Sequence, residues 1–337
     1  MRSIATALCL LSGAAVAATT LGIHATYTLG GSGGWDYLTL DATAARLFIA
    51  RADRVMVVSA ADGRLLGTIP HTEGVHGVAL APDLGRGFIS DGRADAVTVF
   101  DLRTLETVAT WPVSGHNPDA IVYDAASRHL ITFNGRSHDI TVLDPANGTL
   151  VATLAVGGKP EFAQADGKGH VYFNIEDTAE LSELDALTNR LIATWKLPDC
   201  EEPTGLAFDI AHLRLFSGCG NGKLVVTDAH TGRHVATVPI GQGSDAVTFD
   251  AERRQVFSTN GEDGTLTVIH ADSPDQYSVV ATVPTQKSAR TMALDTATHR
   301  IYTVAAEFGP TPAPTPDQPH PRAPVRDGSF RVLVLGE

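Results

Sequence analysis

Along the chain, apolar residues fall in short runs rich in β-branched side chains, separated by turns of Gly, Asp, Asn and Pro. Asp245 to Asp250, Arg254 to Asn260, Gly264 to Ile269 and Val279 to Val283 are four such runs in succession. Runs of this length and composition predict β-strands. The pairs Asp62-Gly63, Asn147-Gly148 and Thr231-Gly232 sit where a tight hairpin needs positive φ. No segment requires an amphipathic helix.

The pattern repeats along the chain. An acidic turn closes the first run of each unit at Asp41, Asp124, Asp166, Asp209, Asp250 and Asp295, with Ala81 in the second unit, at spacings of 40, 43, 42, 43, 41 and 45 residues. Such a period with four strands per unit is a propeller blade. The expected fold is all-β: a seven-bladed β-propeller of four-stranded blades, one domain over residues 18–337. The last unit offers only three strands, Thr291 to Leu294, Arg300 to Val304 and Phe330 to Leu335. Ala25 to Gly31 resembles the fourth-strand run Ala152 to Gly158. An N-terminal strand is therefore expected to complete the last blade, closing the ring and removing an open sheet edge.

The first 17 residues follow a different logic. Met1 to Ser3 is a short basic start, Ile4 to Val16 is an apolar run, and Ala15-Val16-Ala17 is an A-x-A cleavage pattern, which together read as a secretory signal peptide. The run is too short for a membrane span, and Cys9, preceded by Leu8, leaves with it. The expected location is periplasmic or secreted. In such an oxidising compartment the remaining Cys200 and Cys219 form a candidate disulfide, the alternatives being two buried thiols or two metal ligands. A bond between them would hold Glu201 and Glu202 beside the channel opening.

The 337 residues are 43% hydrophobic and carry a net charge of -13, enough apolar material for a core and a surface that repels phosphate backbones. Nucleic acid is accordingly not an expected partner; a protein or small-molecule ligand is. No later segment is long and apolar enough to span a membrane, and a monomer is expected.

Ile131 to Asn134 with Asp139 to Asp144, and Val256 to Asn260 with Leu266 to Ile269, resemble the repeat of the YVTN (YncE-like) β-propeller family. Further likeness lies in Trp35 to Tyr37, Val75 to Gly77, and Cys200 to Gly205 followed by Cys219. The resemblance covers essentially the whole mature chain. It implies a seven-bladed periplasmic or secreted propeller that binds a ligand or protein, with DNA binding proposed for some members. Arg51, Cys219 and Ala305 stand where the repeat would carry Asn.

In a propeller, the loops leading into the innermost strands share one face with the loops between second and third strands. Five residues before each acidic turn stand Asp36, His76, Asp119, Glu161, Thr204, Asp245 and Arg290. These seven are the candidate ligand-binding residues, around the mouth of the channel. Crowded carboxylates there must bind protons, pair with His76 and Arg290, or hold a cation. A divalent cation such as calcium would take Asp36, Asp119, Glu161 and Asp245, with Asp91, Asn134, Asn174 and Asn260 as a second ring. Against this stands the reading of polar loop residues that face water and cap strands. Trp35 and Tyr37 are expected to pack within the blades.

Residues 308–329, with Pro310, Pro312, Pro314, Pro316, Pro319, Pro321 and Pro324, interrupt the last blade on the same face, as a lid, a docking arm or an idle loop. The chain has no G-x-S-x-G, H-E-x-x-H, phosphate-binding or haem-attachment motif. The expected function is non-catalytic binding at the channel mouth; a metal-dependent lactonase or related hydrolase using the mouth carboxylates, with His76 as acid or base, is the alternative.

Overall fold

The computed structural model describes residues 21–315 and 321–336, so the expected signal segment lies outside the described residues. Seven four-stranded antiparallel sheets form the seven blades. Blade one, for example, runs through Leu38–Asp41, Arg46–Arg51, Arg54–Ser59 and Leu65–Pro70 from the channel outwards. No helix among the described residues is long and apolar enough to cross a membrane.

Burial explains the run lengths. Second and third strands are almost wholly buried, as in Arg46–Arg51 and Arg54–Ser59, because blades cover both of their faces. Fourth strands such as Leu150–Ala155 alternate exposed and half-buried residues, since one face meets water. One bulky residue per second strand, Phe48, Phe88, Ile131, Tyr172, Phe216, Phe257 and Tyr302, is buried between neighbouring blades. Blade four alone sets a glutamate opposite this column, and Glu183 is satisfied there by Tyr172 Oη at 3.1 Å and His170 Nδ1 at 2.6 Å.

The acidic turns are structural. Asp250 accepts backbone N–H bonds from Glu252 and Arg253, and Asp124 accepts one from Ser127. Ala81 cannot do this, and blade two substitutes a short 3-10 turn, Pro82–Leu84, stopped by Gly85 at φ +63°.

Closure follows the expected route. Gly22–Thr28 pairs antiparallel with Arg331–Gly336 as the outer strand of blade seven, with Thr26 opposite Leu333. Tyr27 then does what fourth-strand aromatics do elsewhere in the ring. Trp111 of blade two lies over the hairpin glycine Gly148 of blade three; Tyr27 lies over Gly63 of blade one and donates to Ala61 O at 2.8 Å. Any Cβ at Gly63 would clash with the Tyr27 ring, and its φ of +72° suits glycine.

One expectation about register is corrected. The column occupied by Asn134 and Asn260 pairs with Pro118 and Ser244, and in blade four the residue in that register is Ile175, opposite Pro160. Asn174 is one position away and faces blade five. A one-residue slip reverses the side on which a strand residue projects.

Candidate functional site

The seven lead-in residues precede or open the inner strands, and two pairs form between adjacent blades, Asp36 with His76 and Asp245 with Arg290. His76 Nδ1 donates to Asp36 Oδ2 over 2.6 Å and lies 3.6 Å from Asp119 Oδ2. Across the ring, Arg290 Nε donates to Asp245 Oδ2 over 3.1 Å, and its Nη2 reaches Trp35 O at 2.6 Å. Glu161 binds Lys159 at 2.7 Å, and that same ammonium also contacts Glu176. Thr204 Oγ1 donates to Ser244 O at 2.9 Å, tying blade five to blade six.

Tyr37 occupies the channel directly below. Its ring meets Phe162 edge-on at 5.1 Å, and its hydroxyl donates to Glu161 Oε2 at 3.3 Å. The phenol is held neutral by burial and then by the charges of Asp119, Glu161, Asp36 and Asp245, which come from four blades. Tyr37 therefore belongs to the channel rather than to blade packing alone. Trp35 packs as expected, against Phe330 at 5.4 Å and Phe308 at 5.8 Å.

The proposed calcium set does not gather at one point. Asp36 and Asp119 approach each other through His76, whereas Glu161 and Asp245 are engaged by Lys159 and Arg290. The second ring is taken up by the blades. Asn134 donates to Asp139 and Thr141, Asn260 to Thr265 and Thr267, and Asn174 to the Thr204 and Gly205 carbonyls. Asp91 accepts from Thr98 at 2.6 Å, and burial raises its carboxyl to about 7.

Protons are held unusually tightly on this face. Burial alone would lower the His76 imidazole, but the Asp36 hydrogen bond and the charges of Asp119, Asp36 and Glu161 outweigh it and raise it to about 9. Burial raises Asp245 to about 6 against the pull of Arg290. Burial likewise raises Asp119 and Glu161. Each group has a higher pKa folded than unfolded, so the folded chain binds the extra protons and loses stability as pH rises through the folded values. The His76 contribution is complete below its unfolded value of about 6.5 and gone above about pH 9. Surface carboxylates such as Asp62, Asp95 and Asp228 are lowered and act oppositely, losing stability in acid. In the presence of chelator, the melting temperature should peak near about pH 5 and fall by several degrees towards about pH 9. His76→Gln should flatten the upper part of that fall; an equal fall in the variant would refute the assignment.

Two clefts open beside the ring. One, of about 340 Å³, lies between blades four and seven and is lined by Glu176, Glu202, Asp245, Glu262 and Arg290 among others. The other, of about 330 Å³, lies at blades one to three beside Asp36, His76, Arg93 and Arg136. Cys200 and Cys219 are disulfide-bonded, 19 residues apart, a loop closure worth about 3 kcal/mol. The bond brackets Glu201 and Glu202, whose carbonyls receive the Gly220 N–H, and so fixes Glu202 at the cleft wall. Lys159 and Glu176 occupy the places of Gly243 and Gly261 in blade six and of Gly74 and Gly92 in blade two, and Glu262 that of Arg93, so the repeat pattern alone does not single them out.

The Pro-rich insertion rises from this face. Its base is a short antiparallel contact of Phe308 with Val325, Gly309 N donates to Pro324 O at 2.9 Å, and Phe308 rests on Trp35 beside Asp36. Residues 316–320 lie outside the described residues.

No protein-family profile matches the chain. The curated protein YncE of Salmonella typhimurium strain LT2, described as uncharacterized, is 26% identical over 222 residues, covering 61% of this chain and 62% of that protein. The match thus spans less than two thirds of that relative. Among solved structures, U3-55K superposes with a TM-score of 0.75 at 11% identity, covering 93% of this chain and 98% of that one. The WD40 repeats of RRP9 give 0.76 at 11% identity, covering 94% and 97%. A chain of the mitotic checkpoint complex gives 0.76 at 14%, covering 100% and 99%. At these identities the structural likeness shows the propeller fold alone.

Proposed function

We propose that this protein is a secreted or periplasmic, non-catalytic β-propeller whose mouth face binds a cationic ligand, such as a basic segment of a partner protein. The observation that carries this reading is the cleft of about 340 Å³ between blades four and seven, where Lys159 engages Glu176 and Arg290 engages Asp245, leaving the acids Glu202 and Glu262 in excess. Glu202 and Glu262 form no ion pair among the described residues, so their charge is available to a ligand. The chain's net charge of -13 adds long-range attraction for the same class of partner. The A-x-A segment at residues 15–17 and the disulfide support an oxidising compartment.

The test uses fluorescent tri-arginine and tri-glutamate peptides with the mature chain. Tri-arginine should bind with an affinity that falls as salt rises, and the pair Glu202→Gln with Glu262→Gln should weaken it by about tenfold. Equal binding of both peptides, or no effect of the paired substitution, would overturn the reading.

A further inference from the structure

The half of the mouth built by blades one to three holds a different grouping. Asp36, His76 and Asp119 lead into the inner strands of three successive blades, and their ligand atoms all lie within 4.8 Å of one another. Asp119 is only 7% exposed, yet its carboxylate accepts no hydrogen bond among the described residues. Its nearest cation, His76 Nδ1 at 3.6 Å, is beyond hydrogen-bonding range. The Asp119 side chain is 11% exposed, reaching only the mouth, and it points to the place that Asp36 and His76 also face.

We propose that Asp36, His76 and Asp119 form a binding site for one divalent transition-metal ion of the zinc class. An imidazole nitrogen with two carboxylate oxygens is a borderline donor set that suits zinc, whereas calcium favours six to eight oxygens. The His76 nitrogen lies 2.6 and 3.6 Å from its two carboxylate partners, which brackets the ligand separation of about 3.3 Å in a tetrahedral site with bonds near 2.0 Å. Gly92 leaves room for the imidazole, because a Cβ there would approach the ring Cδ2 and Nε2 to 2.6 Å. With three protein ligands, the fourth coordination position opens onto the cleft of about 330 Å³, where Arg93 and Arg136 favour an anion as the exogenous ligand. The site is separate from the acidic cleft of blades four to seven and does not depend on the ligand proposed there.

Chelator-treated, tag-free mature protein titrated calorimetrically with zinc chloride should bind one equivalent, with a rise in melting temperature. His76→Gln and Asp119→Asn should each weaken binding by at least about tenfold. The paired Glu202→Gln and Glu262→Gln variant should bind zinc as the wild type does, which separates this site from the peptide cleft. Cobalt(II) loading of the unaltered protein supplies a readout independent of variant folding: a ligand-field spectrum of nitrogen and oxygen donors is expected. Absence of saturable zinc binding, or undiminished binding in both His76→Gln and Asp119→Asn, would overturn the proposal.

Discussion

Deletion of residues 24 to 30 should lower the melting temperature by about 10 °C or more and make it dependent on protein concentration. These residues supply most of the outer strand of blade seven, paired with Arg331–Gly336. Their loss removes the ladder hydrogen bonds and the packing of Ala25, Tyr27 and Leu29 on the core shared by blades seven and one. A few net hydrogen bonds at about 1 kcal/mol each, plus partial burial of three apolar side chains, bring the loss to the order of 5 kcal/mol. The deletion also bares the edge of Arg331–Gly336, which would recruit a strand from a second molecule. Differential scanning fluorimetry and light scattering read the two effects, and a synthetic peptide of residues 22–30 added in trans should restore the melting point. An unchanged melting temperature would show that the three remaining strands of blade seven close the ring alone.

The fold was legible because two local signals recur together. Strand runs rich in β-branched residues carry the burial, and Asp250 and its counterparts cap the same turn in successive blades, so chemistry fixes the period. Ring neighbours were legible for the same reason: Asp36, His76 and Asp119 occupy one column at successive repeats, and adjacent blades bring them together. What escaped was detail below one residue of register. In blade four both Asn174 and Ile175 are buried, and alternation cannot show which one falls in the column of Asn134. The chemistry of unique loops escaped for another reason. Lys159 captures Glu161 and Glu176 from a position with no recurring partner, so no internal alignment reveals it. Arg51 was visible only as a departure from Asn, and its role needed the three-dimensional course of the closing segment.

Arg51→Ala is the second substitution expected to have a large effect, about 3 kcal/mol or a fall of about 5 °C in melting temperature. Arg51 is fully buried on blade one, and its Nη2 donates to Ser32 O at 2.8 Å and Gly33 O at 3.2 Å, in the segment joining the closing strand to blade one. Its guanidinium carbon stands 3.6 Å from the centre of the Phe330 ring, which precedes the third strand of blade seven. Burial lowers it to about 10, so it remains charged at neutral pH and the cation–π contact is made in a desolvated setting. Three segments distant in sequence thus meet on one side chain. Arg51→Lys should recover part of the loss, because an ammonium keeps the charge but lacks the planar stack. Arg51→Met tests whether charge matters, since an apolar side chain of similar length leaves no unpaired nitrogen; buried Nε and Nη1 have no hydrogen-bond partner among the described residues. The decisive measurement is the coupling of Arg51→Ala to the strand deletion. If Arg51 fastens the segment that the outer strand anchors, removing the strand should already have released Ser32 and Gly33, and the second change should then cost much less than it does alone. Additive losses would mean that Arg51 stabilises blade one independently of closure.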